Sequence, residues 1–320
     1  MTGAGTVTTG RFAPSPSGRM HIGNLFSALL AWLSAKKQGG RVILRIEDLD
    51  VRRCTPAYAQ QIQDDFLWLG LTWDEGPRVG GPHGPYEQSQ RTALYKAALD
   101  ALRARGLVYP CFCTRAELHA ADAPHRSDGE TVYPGTCRNL TPAEAAERAR
   151  TRSPAYRLRV PAREIAVCDG HMGRYAQRLD RDCGDFLLRR SDGLYAYQLA
   201  VVADDAAMGV TEVVRGSDLL TSTPRQLLLY RLLGLAPPTF YHVPLLLAED
   251  GRRLSKRDHD LNLEILRKRY PPEVILGKLA FLAGFHPTAE PVRVTELLSV
   301  FDWSAVPARD IIVPGDLFPA

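Results

Sequence analysis

The chain has 320 residues, 45% of them hydrophobic, 24% charged and 8% aromatic, which is the balance of a folded protein. That length suits two modest domains or one α/β domain with a large insertion. No apolar run of about eighteen residues and no signal-peptide pattern occur, so a membrane partner is not expected and a cytoplasmic, monomeric protein is. A net charge of +4 fits an anionic partner without requiring one.

Residues 1–5 read as a short disordered lead-in. A strand is predicted from Thr6 to Phe12, followed by a Pro/Ser/Gly loop from Ala13 to Gly18. An apolar helix then runs from about Asn24 to Gln38, ended by Gly39-Gly40. Arg41 to Glu47 (RVILRIE) reads as a second strand. Strand, glycine-bearing loop, helix and strand make a βαβ unit, the nucleus of a parallel sheet.

Helices are predicted from Pro56 to Leu69, closed by Gly70, and from Ser89 to Arg105, capped by Gly106. From Tyr109 to about Arg163 the character changes, with clustered Cys, then Pro, His and Gly, then an Ala/Glu/Arg-rich helix from Thr141. That segment reads as an insertion. The sheet pattern resumes at Phe186 to Arg189, Tyr195 to Ala203 and Val210 to Val214. Thr223 is expected to cap a helix, with Pro224 at its first position, Gln226 completing a capping box and Gly234 ending it. After Leu261 the chain is helical and short of strands, and no internal repeat occurs.

Arg11 to Asn24 (RFAPSPSGRMHIGN) joins a strand to a helix N-terminus, where unpaired N–H groups and the helix dipole favour phosphate. Gly18 and Gly23 allow close backbone approach, and His21 supplies a donor. Taken alone, the loop is weak evidence, and an ordinary turn is the plainer account. Near the other end, RLSKR at Arg253 to Arg257 follows the apolar stretch Val243 to Ala248. A lysine on such a loop can close over a triphosphate, although Lys256 in isolation reads as a surface lysine.

Cys111, Cys113 and Cys137 suggest a tetrahedral zinc site lacking its fourth ligand, for which His125 or His119 is the residue-level candidate. Three reduced cysteines without metal is the structural alternative. Cys54, Cys168 and Cys183 are scattered and read as buried or half-buried residues, and His83 and His171 as surface residues. Two arginine-rich stretches, Arg138 to Arg163 and Arg252 to Arg269, read equally as solvated faces or as nucleic-acid contacts.

RFAPSPSGRMHIGN, RIED at Arg45 to Asp48, VTEVVRGSDLL and RLSKR resemble, in that order, the glutamyl branch of class I aminoacyl-tRNA synthetases. The first and last look like that class's "HIGH" and "KMSKS" signatures, and the likeness spans roughly residues 7 to 260. It departs in Asn24, where the signature ends in His, and in Arg253 and Arg257. About sixty residues follow Lys256, so an anticodon-binding domain is not expected, and the likeness is strongest to the shortened glutamyl-queuosine tRNA(Asp) branch.

The resemblance implies an α/β fold: a Rossmann-type doubly wound parallel sheet with a zinc-bearing insertion and a short C-terminal helical region. Its expected parts are residues 1–107 and 186–260 as halves of the catalytic domain, 108–185 as the zinc-binding and acceptor-end insertion, and 261–320 as a helical remnant. It implies glutamate binding by Arg11, Phe12, Ala13, Pro14, Ser15, Glu47, Tyr197 and Arg215, and ATP binding by His21, Gly23, Asn24, Ser255 and Lys256, with His21, Asn24 and Lys256 in the catalytic role. For the metal it favours Tyr133 over a histidine as fourth ligand beside Cys111, Cys113 and Cys137, giving one structural Zn2+, with Mg2+ arriving on ATP. Two further readings stay open: a discriminating glutamyl-tRNA synthetase charging a tRNA 3′ end, and a non-catalytic RNA-binding paralogue. Ion pairs of Arg215 with Asp218 or Glu212, and of Glu47 with Arg45 or Arg52, are the structural alternatives, and Tyr197 reads also as a half-buried core residue.

Overall fold

The computed structural model describes residues 7–120, 132–254 and 261–319. The expected lead-in, His125, Ser255, Lys256 and Arg257 lie outside these, as does the side chain of His119.

The βαβ unit forms. Strand β1 (Thr9–Phe12) and strand β2 (Arg41–Leu44) pair in parallel, Thr9 opposite Arg41 and Phe12 opposite Leu44, with helix α1 (Ile22–Lys37) crossing between them. The second strand is shorter than expected, because Arg45 turns inward and Ile46 pairs instead with Glu87 in an isolated bridge. Helices α2 (Pro56–Trp68) and α3 (Thr92–Ala104) follow, the latter preceded by a short 3-10 turn at Gln88–Gln90.

The next stretch is a small antiparallel world. Strand β3 (Val108–Cys111) leads to α4 (Arg115–Ala120) and α5 (Pro142–Thr151); strand β4 (Ala155–Leu158) returns against β3. A hairpin of β5 (Glu164–Asp169) and β6 (Gly173–Arg178) and the short α6 (Leu179–Asp182) come next, and β7 (Leu187–Arg189) pairs with β4. Phe186 to Arg189 therefore completes this antiparallel sheet rather than resuming the parallel one.

Tyr195 to Ala203 also differs from the strand expected, for it enters α7 (Tyr197–Ala207). Gln198 to Asp205 are all buried, and a helix buried all round carries the same unbroken apolar run as a buried strand. Parallel strands β8 (Glu212–Gly216) and β9 (Thr239–Val243) flank α8 (Thr223–Leu233), which ends at Gly234 with φ +70° as expected. The Thr223 capping box does not form. Ser222 is the N-cap, and the Thr223 hydroxyl accepts instead from Arg215 at 2.9 Å.

β8 lies alongside β1, the Thr211 N–H donating to the Thr9 carbonyl at 2.9 Å. Successive strand residues enter different cores: Val42, Leu44, Val214 and Val243 one, Ile43, Val213 and Phe240 the other. Helices α9 (Leu263–Arg269), α10 (Pro272–Leu282) and α11 (Val294–Val300) close the first core against α1, burying Leu263, Leu266, Ile275, Leu279 and Leu297. A two-residue strand, Ile311–Ile312, pairs with Leu246–Leu247. At roughly 25 cal/mol per Å2 of apolar surface removed from water, this burial is what holds α1 and the loop before it in place.

Three smaller expectations are corrected. His83 is half-buried, 2.6 Å from Glu75; His171 is half-buried, its ring 3.0 Å from the Pro307 carbonyl and tilted by 40° against Trp303; Cys168 is exposed. Among the described residues no helix is long and apolar enough to cross a membrane.

Candidate active site

A cleft of about 770 Å3 opens where β1 and β8 end and α1 begins. Arg11 to Ser15, His21, Gly23, Asn24, Glu47, Tyr197 and Arg215 all line it, so every described residue expected to bind glutamate or ATP meets in one cavity. Arg253 and Leu254 line it too, which puts the start of the second loop on the same side as the first. A second cavity behind the loop, lined by Pro16, Ile46, Asp48 and Gln63 among others, contains none of those residues.

His21 is the N-cap of α1. Its Nδ1 accepts from the Gly23 N–H at 3.1 Å, and Asn24 Oδ1 accepts from the His21 N–H at 3.2 Å. A Cβ at position 23 would lie 2.9 Å from the His21 ring, so glycine is what lets the ring fold over the helix end. Asn24 thus completes a cap with its oxygen and keeps its amide nitrogen for a ligand.

Two guanidiniums reach the cleft from below. Arg215 is 4% exposed; its Nε donates to His242 Nε2 at 3.0 Å, its Nη2 to Thr223 Oγ1 at 2.9 Å and its Nη1 to Tyr197 Oη at 3.4 Å. No carboxylate among the described residues pairs with it, so the ion pair with Asp218 or Glu212 does not form. Arg11 is 6% exposed and donates to the Val214 carbonyl at 3.0 Å, with Asp205 at 3.9 Å. Burial lowers its pKa, opposed by Asp205 and aided by Arg45 and Arg215.

Glu47 does pair with Arg45, at 3.1 Å. Burial raises its pKa against the pull of Arg45 and Arg11. Arg45 is fully buried and also meets Asp205 at 2.6 Å and Asp204 at 3.8 Å. Burial likewise raises the Tyr197 hydroxyl, and Tyr197 is half-buried. Sequence reasoning named Arg45 only as a partner for Glu47, and it missed Asp204, Asp205 and His242. The Asp204-Asp205 pair inside an apolar run was a usable signal; His242 offered none.

Cys111, Cys113 and Cys137 present sulfurs all within 4.8 Å of one another. Tyr133 Oη lies 3.4 Å from Cys111 Sγ and 3.8 Å from Cys113 Sγ, and Cys113 and Cys137 sulfurs are 3.6 Å apart. Tetrahedral zinc with bonds of about 2.3 Å to sulfur and 2.0 Å to oxygen needs ligand separations of roughly 3.5 to 3.8 Å, so the set fits. The Cys137 N–H donates to Tyr133 Oη at 2.8 Å, Arg157 Nε donates to Cys111 Sγ at 3.2 Å, and the Arg157 guanidinium lies 3.7 Å from the Tyr133 ring centre. Burial raises the Cys111 thiol, but Tyr133 and Arg157 outweigh it, while burial and the neighbouring thiols push Cys113 up to about 12. Gly184 is required here, since a Cβ would lie 2.4 Å from the Tyr133 carbonyl. Of the first arginine-rich stretch, Arg138, Arg152 and Arg157 bond to the protein itself: to Asp185, the Phe112 carbonyl and Cys111 respectively, Arg157 being buried.

Residues 6–309 match the family of tRNA synthetases class I (E and Q), catalytic domain, and the chain belongs to it. It is 52% identical over 316 residues to the glutamyl-Q tRNA(Asp) synthetase of Symbiobacterium thermophilum, covering 97% of each chain. It is 50% identical over 311 residues to that of Nitratidesulfovibrio vulgaris, covering 96% of each. Among solved structures it resembles a glutamate tRNA ligase from Elizabethkingia meningosepticum in complex with its amino acid, with TM-score 0.85 and 29% identity over 98% of this chain and 68% of that one.

Proposed function

We propose that this protein activates L-glutamate with ATP and transfers it to the queuosine base at the wobble position of tRNA(Asp), acting in the cytoplasm. The observation that carries the reading is Arg215, a buried guanidinium with no carboxylate partner among the described residues, in the same cleft as the capped start of α1. A planar cation held by neutral partners is matched to a carboxylate ligand. Arg11 and Arg215 would grip the glutamate side chain, Glu47 its ammonium through the oxygen Arg45 leaves, and Tyr197 and Phe12 to Ser15 the walls.

ATP would lie along the loop to His21, Gly23 and Asn24, and Ser255 and Lys256 are its further proposed ligands. A glutamate α-carboxylate oxygen attacks the α-phosphorus and pyrophosphate leaves; a cyclopentene hydroxyl of queuosine then attacks the acyl carbonyl and AMP leaves. No side chain acts as nucleophile, so the residues contribute position and charge stabilisation. Mg2+ carried by the nucleotide would screen the phosphates. Cys111, Cys113, Cys137 and Tyr133 would hold a structural Zn2+ pinning residues 108–185, inserted between the halves of a Rossmann-type doubly wound domain.

The test is pyrophosphate exchange with glutamate and ATP and no tRNA, then transfer of labelled glutamate to three acceptors. Those are tRNA(Asp) with queuosine, tRNA(Asp) without it, and tRNA(Glu). Exchange lost in Lys256→Ala, and transfer only to the first acceptor, is expected. Labelling of tRNA(Glu) would overturn the acceptor, and no exchange would overturn the activity.

A further inference from the structure

The hairpin β5–β6 belongs to the inserted segment, yet the end of β5 and the turn after it reach under the cleft. Gly170 N–H donates to the Phe240 carbonyl on β9 at 2.8 Å, and Asp169 is buried against His242 on the same strand. Asp169 Oδ1 accepts three backbone N–H groups, those of His171, Met172 and His242, at 2.9 to 3.0 Å. Its Oδ2 lies 2.5 Å from His242 Nδ1, and the far ring nitrogen, Nε2, lies 3.0 Å from Arg215 Nε. Oδ2 is an acceptor, so Nδ1 must carry the ring proton. Nε2 then offers a lone pair, which is what the Arg215 N–H requires.

We infer that Asp169 is a positioning residue for amino-acid recognition: it sets the His242 tautomer, and His242 in turn orients Arg215 without neutralising it. This rests on the reading of the cleft as a glutamate site. A carboxylate beside Arg215 would orient it equally well, but it would also occupy the charge a substrate needs. A neutral imidazole orients the guanidinium and leaves the charge to the ligand. Burial, with Arg215 and Arg11 nearby, keeps the ring neutral despite Asp169.

Asp169→Asn tests the inference atom by atom. The three backbone N–H groups hold the amide oxygen at the Oδ1 position, so the NH2 faces His242 Nδ1. The ring proton must move to Nε2, where it opposes the Arg215 N–H. The expected result is a KM for glutamate raised on the order of ten- to a hundredfold in pyrophosphate exchange, with the KM for ATP changed less than about twofold. Nitrogen-15 NMR of histidine-labelled protein should show the Nδ1–H tautomer at His242 in the wild type and Nε2–H in the variant, the signal being assigned by its loss in His242→Gln.

His242→Gln places an acceptor where Nε2 sits and should keep glutamate KM near wild type, whereas His242→Asn, too short to reach Arg215, should raise it as Asp169→Asn does. Unchanged glutamate KM in Asp169→Asn, with Nδ1–H retained, would overturn the inference. Should that variant not fold, equal KM values in the Gln and Asn variants of His242 would overturn it. A wild type without exchange sinks the glutamate reading instead, and the NMR comparison still decides the tautomer.

Discussion

The cysteine cluster and the guanidinium cleft each gather polar groups away from water, and they differ in what they leave over. Around Tyr133 every group faces another: sulfur meets phenol, the Cys137 N–H meets the same oxygen, and Arg157 covers both ring and thiol. Such a set would be completed by one ion, and would then have nothing to offer a substrate. Around Arg215 the partners among the described residues are a histidine, a threonine and a tyrosine, all neutral, so none of these offsets its positive charge. The lesson is that closure marks a structural site and an unmatched charge marks a binding one.

The sharpest way to break this contrast is at the unmatched charge. Arg215→Ala should lower glutamate-dependent exchange by about 3 kcal/mol in apparent binding, roughly a hundredfold or more, because a buried charged contact is lost. Arg215→Lys should recover little, since a point charge lacks the planar fork. Steady-state kinetics against glutamate and ATP separately would check both.

Breaking the closed set should instead cost stability. Cys137→Ala is expected to abolish bound zinc by elemental analysis and to lower the thermal midpoint by several degrees, on the order of 2 kcal/mol. Exchange by the protein that remains folded should change little, because the cluster contributes no residue to the cleft. Tyr133→Phe should keep the fold and weaken metal retention against a chelator, by about ten- to a hundredfold. Equal retention would mean that Tyr133 is no ligand.

A subtler contrast is in pH. His242 is depressed below its ordinary value of 6.5, by burial first and then by Arg215 and Arg11, with Asp169 opposing. Below about pH 6.5 the unfolded chain therefore binds a proton that the folded one resists, so stability falls on acidification. His242→Gln should flatten that fall between about pH 7 and pH 5 in thermal melts. The smallest effect belongs to Asn24→Ala, which removes the cap on the His21 N–H and should cost about 0.5 to 1 kcal/mol.

How much of this the sequence disclosed follows from how local each feature is. The strand–loop–helix–strand start was legible because its signals sit within one contiguous stretch and the glycines end α1 where they stand. The cysteine pair Cys111 and Cys113 declared itself by spacing, whereas Tyr133 needed the family likeness, since a tyrosine carries no spacing code. α7 was misread because burial on every face erases the period that separates helix from strand. Thr223 looked like a cap but is drawn off by Arg215, a tertiary partner. Asp169 and His242 were invisible: 73 positions part them, and only the hairpin's return to β9 makes them neighbours.

The capped histidine has one more consequence. Because α1 itself pins the His21 ring, that side chain surrenders its rotamer freedom when the helix forms. An anion settling on the helix start would meet a rigid seat, and only its own motions would be quenched on arrival.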